Sequence, residues 1–403
     1  MSRPAPRLGT VELIAMIAAL MSLNALAIDV MLPALPAMGD ALGVTTENHR
    51  QYVIIAFVLG MGTGQLFFGP LSDAFGRKSV LVVSLAGYAV FGAACAFPGS
   101  FAQLVAFRAL QGLFAAGARV TALSVVRDKA AGPKMARIMS FVMAVFMIVP
   151  IVAPGLGYVI LKGFSWRAIF WALVLFGVSL CVWLLLRLPE TLPKDQRRSI
   201  RPRAILRGYV EVVRHPISRS YTLATGLVFG ALFAFISSSE QIFRSFDRVE
   251  TFPLFFAGVA STMAMASVFN ARFVERIGTR RLSHAALGTF VAVQIVYGGL
   301  YFSGFEGFWP YYLCTGASFF TFSMMGANFN AMAMEPLGHV AGTASAALGF
   351  TSTTISGVLG GLIAARFDGT PLPIVLGFGV LGVAAMLVVT FGPGRPAMAT
   401  VTS

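Results

Sequence analysis

Gly69-Pro-Leu-Ser-Asp73-Ala-Phe-Gly76-Arg77-Lys78 stands where one long apolar run ends and the next begins, and Ala271-Arg-Phe-Val-Glu275-Arg-Ile-Gly278-Thr-Arg280 stands 202 positions later in the same setting. Each stretch has an acid, a glycine three residues on, and then basic side chains. The pattern has a local physical cause: glycine permits a tight turn, the acid approaches a helix N-terminus, and the bases stay at a membrane surface. Its recurrence at half-chain spacing predicts two halves of six helices each.

Outward from these two turns, runs of about 20 apolar residues, the length that crosses a bilayer, fall near 10–32, 52–72, 79–97, 101–126, 135–161, 167–187, 220–243, 252–272, 282–303, 308–334, 340–365 and 371–392. The expected fold is therefore an all-α integral membrane protein, with twelve transmembrane helices in two pseudo-symmetric six-helix bundles. Residues 1–187 form the first bundle, 188–219 a basic cytoplasmic linker, and 220–403 the second. Of the 403 residues, 57% are hydrophobic and 11% charged, against about 25% charged in a soluble domain. So little polar surface cannot cover a water-facing globule. The first run carries Asp29 and is followed by no small-residue cleavage site, so it reads as a retained helix rather than a signal peptide.

A net charge of +14 raises the question of nucleic acid, and the distribution of the charge answers it. With the N-terminus placed inside, about 22 of the 30 Lys and Arg lie on the cytoplasmic side, against about six on the other. The positive-inside asymmetry puts both termini in the cytoplasm and accounts for the basic balance without a nucleic-acid partner. Cys95, Cys181 and Cys314 all lie in apolar runs, and His49, His215, His284 and His339 are scattered. No metal-ligand spacing and no nucleophile with its base emerges, so neither an enzyme, a metal site nor an organic cofactor is expected.

At Gly69, Leu71, Asp73, Gly76, Arg77 and Lys78 the chain closely resembles the major facilitator superfamily, whose signature after its second helix is G-x-L-x-D-x-x-G-R-K. More narrowly, Asp29-Val-Met-Leu-Pro33-Ala-Leu-Pro36, Gly64-Gln65 and Arg127-Asp128 look like the Bcr/CflA branch of bacterial drug:proton antiporters. Arg108-Ala-Leu-Gln111-Gly112 is similar to the family's intramembrane arginine motif. Pro150 and Ala153-Pro154-Gly155-Leu156-Gly157-Tyr158 resemble the antiporter motif G-x-x-x-G-P-x-x-G-G, with Val149, Ala153 and Tyr158 replacing three of its glycines. Small residues at such spacing also serve plain helix packing. The resemblance implies a monomeric multidrug efflux antiporter of the bacterial inner membrane that confers antibiotic resistance and uses protons as coupling ion, surrounded by membrane lipids and carrying a small molecule.

Four ionisable residues fall within the spans away from the cytoplasmic ends: Asp29, Arg108, Arg119 and Glu240. Each charge at mid-bilayer costs about 3 kcal/mol on insertion scales, and persists where it pairs, protonates or faces water. Asp29 and Arg108 are expected at similar depth. If both face a central cavity, each lowers the other's burial cost, and a drug competing with the proton on Asp29 gives exchange; the alternative is a static ion pair. The resemblance places the proton-linked acid at Asp29 and the essential arginine at Arg108. Arg119 lies eleven residues further on, nearly the same helix face and about 16 Å nearer the cytoplasm. It either draws electronegative substrates or snorkels to lipid phosphates. Glu240 is a second proton site, a cation ligand, or a solvated span end.

Asn328 and Asn330, two residues apart on one helix, point different ways, one to the cavity and one to a neighbouring helix. Asp73 and Arg127 are expected to form a cytoplasmic gate with Gly69, Gly76, Arg77 and Lys78. Tyr52, Phe57, Gln111 and Phe329, with Arg108, Arg119 and Asn328, are the expected substrate lining, since aromatic and Met side chains repack around different ligands. The function expected is proton-driven export of small, mostly apolar drugs or toxic metabolites by alternating access. An uptake symporter for a metabolite, possibly anionic, and a non-transporting membrane sensor are the alternatives.

Overall fold

The computed structural model describes residues 9–130, 132–197 and 202–392. Arg3, Arg7, Arg198, Arg201 and Arg395, counted above on the cytoplasmic side, lie outside them. The described residues are helical with short connections: α1 Thr10–Asp29, α2 Leu35–Ala41, α3 Tyr52–Phe75, α4 Arg77–Ala94, α5 Phe101–Lys129, α6 Gly132–Gly163, α7 Arg167–Arg187, α8 Pro202–Arg214, α9 Pro216–Ser245, α10 Phe252–Ile277, α11 Thr279–Phe302, α12 Phe308–Met334, α13 Ala341–Ala364 and α14 Leu372–Phe391. α1 and α2 together make the first span, α8 lies between α7 and α9, and the other eleven helices make one span each.

Eleven spans are long and apolar enough to cross a membrane on their own composition. α12 is the exception. Thr315, Ser318, Thr321, Ser323, Asn328 and Asn330 lower its hydropathy, and it gains its place by packing against α9, α10 and α11. α1 to α7 pack mainly among themselves, as do α9 to α14. The bundles meet along two seams, α3 against α13 and α6 against α10.

Both turns that the repeated stretch predicts are present. α3 passes into α4 through Gly76 at φ 95°, and α10 into α11 through Gly278 at φ 90°, a backbone region that side chains disfavour. The first span departs from the continuous run 10–32. Pro33 has no N–H for the carbonyl of Asp29 four residues back, so α1 ends at Asp29 and the chain passes through a short 3-10 turn, Leu32–Ala34, before α2. At the linker, α9 begins at Pro216, inside the stretch 188–219, and α8 occupies Pro202–Arg214. One face of the molecule carries α8 and the Gly76 and Gly278 turns; it is called the linker face, and the other the opposite face.

Candidate functional site

The break at Asp29 leaves the last carbonyls of α1 without helical donors, and Arg108 takes one. On α5 and 0% exposed, Arg108 donates from Nη2 to Ala27 O at 3.0 Å, from Nε to Val53 O at 3.2 Å and from Nη1 to Gln111 Oε1 at 2.7 Å. Its guanidinium lies 4.3 Å from the centroid of the Phe57 ring. A cation at a helix C-terminus meets the negative end of the backbone dipole, so α1 itself balances part of the buried charge. The three donors tie α1, α3 and α5 at one point. α3 and α5 approach closely enough for this because Gly112 lies directly against the backbone carbonyl of Phe57, where a Cβ would collide.

Asp29, 4% exposed, is buried two residues beyond Ala27, at the end of α1 and outside this knot. Among the described residues its carboxyl has no hydrogen bond and no ion pair. The structure thus brings Phe57, Arg108 and Gln111 together, and in this conformer Arg108 is held by an α1 carbonyl oxygen and not by Asp29. Gly157 of α6 packs against Val30 O, immediately after Asp29. Pro154 is buried, Pro150 half-buried, and Gly155 faces Pro253 of α10 across the second seam. The motif read in α6 therefore contacts both the α1 break and the other bundle.

The opposite face is closed by uncharged polar groups. Gln51 Nε2 donates to Gln241 Oε1 at 2.5 Å, Gln241 Nε2 to Asn48 Oδ1 at 3.2 Å, and Asn48 Nδ2 to Ala365 O at 3.0 Å and Phe367 O at 2.8 Å. Every one of these bonds joins the first bundle to the second. Glu240, one residue from Gln241, is 4% exposed and accepts from Arg244 Nη2 at 2.6 Å and Nε at 3.1 Å. This is a paired, buried acid at the rim of the latch, not a solvated span end.

On the linker face Arg77 gathers two acids, donating to Asp73 Oδ1 at 2.5 Å and to Asp128 Oδ2 at 3.0 Å. Asp73 and Arg127 do not pair with one another here; Arg127 donates to Ser124 Oγ at 3.3 Å. Glu190 caps α4 by accepting from the backbone N–H of Arg77 at 2.9 Å and Lys78 at 3.3 Å, where a carboxylate suits the helix N-terminus. Lys78 Nζ donates to Leu185 O at 2.8 Å, and Gly69 meets Ala346 of α13 along the first seam. Arg119 is exposed although most of its neighbours on α5 are buried. Asn328 forms a reciprocal pair with Asn270 of α10, at 2.9 and 3.3 Å, while Asn330 is exposed. Phe329 is buried against Tyr221, ring centroids 5.5 Å apart, and Tyr52 stacks on His49 at 5.1 Å, partly exposed. Asn328 and Phe329 of α12 thus pair within the second bundle and not with Asp29.

The residues that sequence reasoning passed over are Asn48, Gln51, Gln241 and Glu190. Neutral amides at span ends resemble ordinary interfacial residues. The one signal for Glu190 was an acid directly after the sixth span, ahead of a basic run.

The family model described as Major Facilitator Superfamily matches residues 17–361. The chain belongs to the major facilitator superfamily. Within it, similar proteins include a bicyclomycin resistance protein homolog from Haemophilus influenzae, 30% identical over 91% of this chain and 92% of that protein. The multidrug resistance protein MdtL of Escherichia coli O81 is 28% identical over 62% of this chain and 64% of its own length. Among solved structures, the E. coli xylose transporter XylE aligns over 96% of this chain and 100% of that one with a TM-score of 0.73 at 13% identity. The human organic anion transporter MFSD10 aligns over the same shares with a TM-score of 0.65 at 18% identity. These similarities agree with the two-bundle fold, and the major facilitator assignment makes the chain a multi-pass membrane transporter rather than an enzyme.

Proposed function

We propose that this chain exports small, mostly apolar compounds, drugs or toxic metabolites, in exchange for protons. It does so by alternating access between bundles 1–187 and 220–403, joined by the linker 188–219. The carrying observation is that Arg108 is tied to Ala27 O, two residues before an unpaired, buried Asp29 on the same helix. Asp29 is the group that changes charge without first breaking a contact. Once ionised, it competes with Ala27 O for the guanidinium, and moving Arg108 loosens the point where α1, α3 and α5 are tied. Cargo favours one arrangement and the proton the other, which is the differential interaction that coupled exchange requires.

The excess of Lys and Arg on the linker face makes that face cytoplasmic in a bacterial inner membrane, with both termini inside and the protein acting as a monomer. The closed opposite face then belongs to a conformer that receives cargo from the cell. The names of the relatives, for bicyclomycin and multidrug resistance, support an antibiotic-like cargo. The exposed Arg119 supports a cargo with an electronegative group. The same arginine would serve an anionic nutrient taken up by symport.

Purified protein in liposomes under an imposed proton gradient tests both readings. Uptake of protons with expulsion of cargo is expected, and cargo accumulating along with protons would overturn export. Asp29→Asn should abolish gradient-driven flux while the protein still inserts and purifies at wild-type yield; full coupling in that variant removes Asp29 from the mechanism.

A further inference from the structure

α8 is amphipathic in a way that packing against the protein does not exhaust. Successive residues turn by about 100° on a helix. Around α8 the order is Val212 and Tyr209 against the protein, then Leu206, Val210 and Val213 exposed, then Arg203 and Arg214 exposed. Val212 is 2% exposed, whereas Leu206 is 62% and Val213 57%. The packed face and the exposed apolar strip are contiguous, and the arginines follow the strip directly. A helix dissolved in water has no use for a second apolar strip.

One hydrogen bond marks the depth of α8. Pro70, inside α3, has no N–H to give Leu66 O. Tyr209 of α8 supplies a donor, its hydroxyl standing 3.4 Å from that carbonyl. Leu66 is nine residues before the end of α3, about 14 Å along the helix, so Tyr209 reaches well past the helix end. α8 packs on α13 and α9 and lies against the linker-face end of the α3–α13 seam. At that level an outward apolar strip meets acyl chains, and the arginines beside it stand among headgroups.

We propose that α8 is an interfacial helix that binds anionic phospholipid of the surrounding bilayer, Leu206, Val210 and Val213 entering the acyl layer while Arg203 and Arg214 hold headgroup phosphates. The helix touches α3 of one bundle and α13 of the other, so the lipid bound there lies at the seam that must shear when the bundles rock.

The test uses the full chain with its three cysteines replaced (C95S, C181S, C314S) and V210C carrying an environment-sensitive fluorophore, in bilayers doped with brominated phosphatidylglycerol or brominated phosphatidylcholine. Emission should be blue-shifted and quenched more by the anionic lipid. R203Q/R214Q should lower that preference by about fivefold for each arginine, and R203K/R214K should keep it. Water-like emission with no quenching by either lipid overturns the interfacial placement. Equal quenching by both lipids, or a preference unchanged in R203Q/R214Q, overturns the headgroup assignment. The readout needs neither cargo nor gradient, so a failure of the transport reading leaves it standing.

Discussion

Arg108 is the residue on which most of the site depends, and its worth lies in geometry as well as charge. Truncation to Ala leaves Ala27 O, Val53 O and Gln111 Oε1 without this donor, and a buried group left unsatisfied costs about 1–3 kcal/mol. Arg108→Ala is therefore expected to lower thermal stability in detergent by several kcal/mol as well as to end transport. Arg108→Lys should recover little of either, because an ammonium is a compact point charge and cannot reproduce a planar fork aimed three ways. Full rescue by Lys, read as a wild-type melting temperature and flux, would mean that charge alone matters. At Arg119 the expectation differs: Arg119→Gln should change which cargoes are carried while leaving proton coupling intact. A substrate panel with the same ranking as wild type would return this arginine to a lipid-facing role.

At the scale of the helix, close approach and helix breaks decide where those side chains stand. Gly112 lies against the carbonyl of Phe57, whereas Gly288 on α11 has open space where a Cβ would go. Gly112→Ala is expected to push α3 and α5 apart at a cost of about 1–3 kcal/mol and to displace Arg108 with them. Gly288→Ala, at a half-buried helix position with room for the methyl group, should be neutral or slightly stabilising. Equal melting temperatures for the two variants would show that the α3–α5 approach tolerates a methyl group.

The helices themselves were legible because each long apolar run must be helical in lipid, and both glycine turns followed from the repeated stretch. The break after Asp29 was written in Pro33, although hydropathy alone reads straight through it. α8 was not legible, since a 13-residue amphipathic segment inside a basic run has no apolar core of its own to announce it.

For the whole molecule, the open question is what holds two bundles in one relative position. On the opposite face four neutral hydrogen bonds through Asn48, Gln51 and Gln241 join them. Gln241→Ala removes two of these bonds, at about 1 kcal/mol each, and should shift the opening equilibrium by roughly 30-fold. Spin labels placed across that face should report a longer, broader distance distribution in the variant. Distances identical to wild type would mean that the seams, and not the latch, set the conformer. The candidate site shows the same division of labour. Asp29 and Arg108 stood out in the sequence as charges in oil, while the Asn and Gln side chains that close the molecule did not, since neutral amides are ordinary at span ends.

The sequence by itself determined the membrane spans and the Gly76 and Gly278 turns, because these are local consequences of composition and backbone chemistry. It also singled out the buried charges, since an ionisable side chain in an apolar run is conspicuous without any coordinates. Only the tertiary structure decided that Arg108 binds the broken end of α1 rather than Asp29, that Arg77 takes both Asp73 and Asp128, and that Asn48 and Gln51 meet Gln241. A hydrogen bond is satisfied by whichever donor folding brings within reach, and that depends on how helices far apart in the chain come to lie side by side.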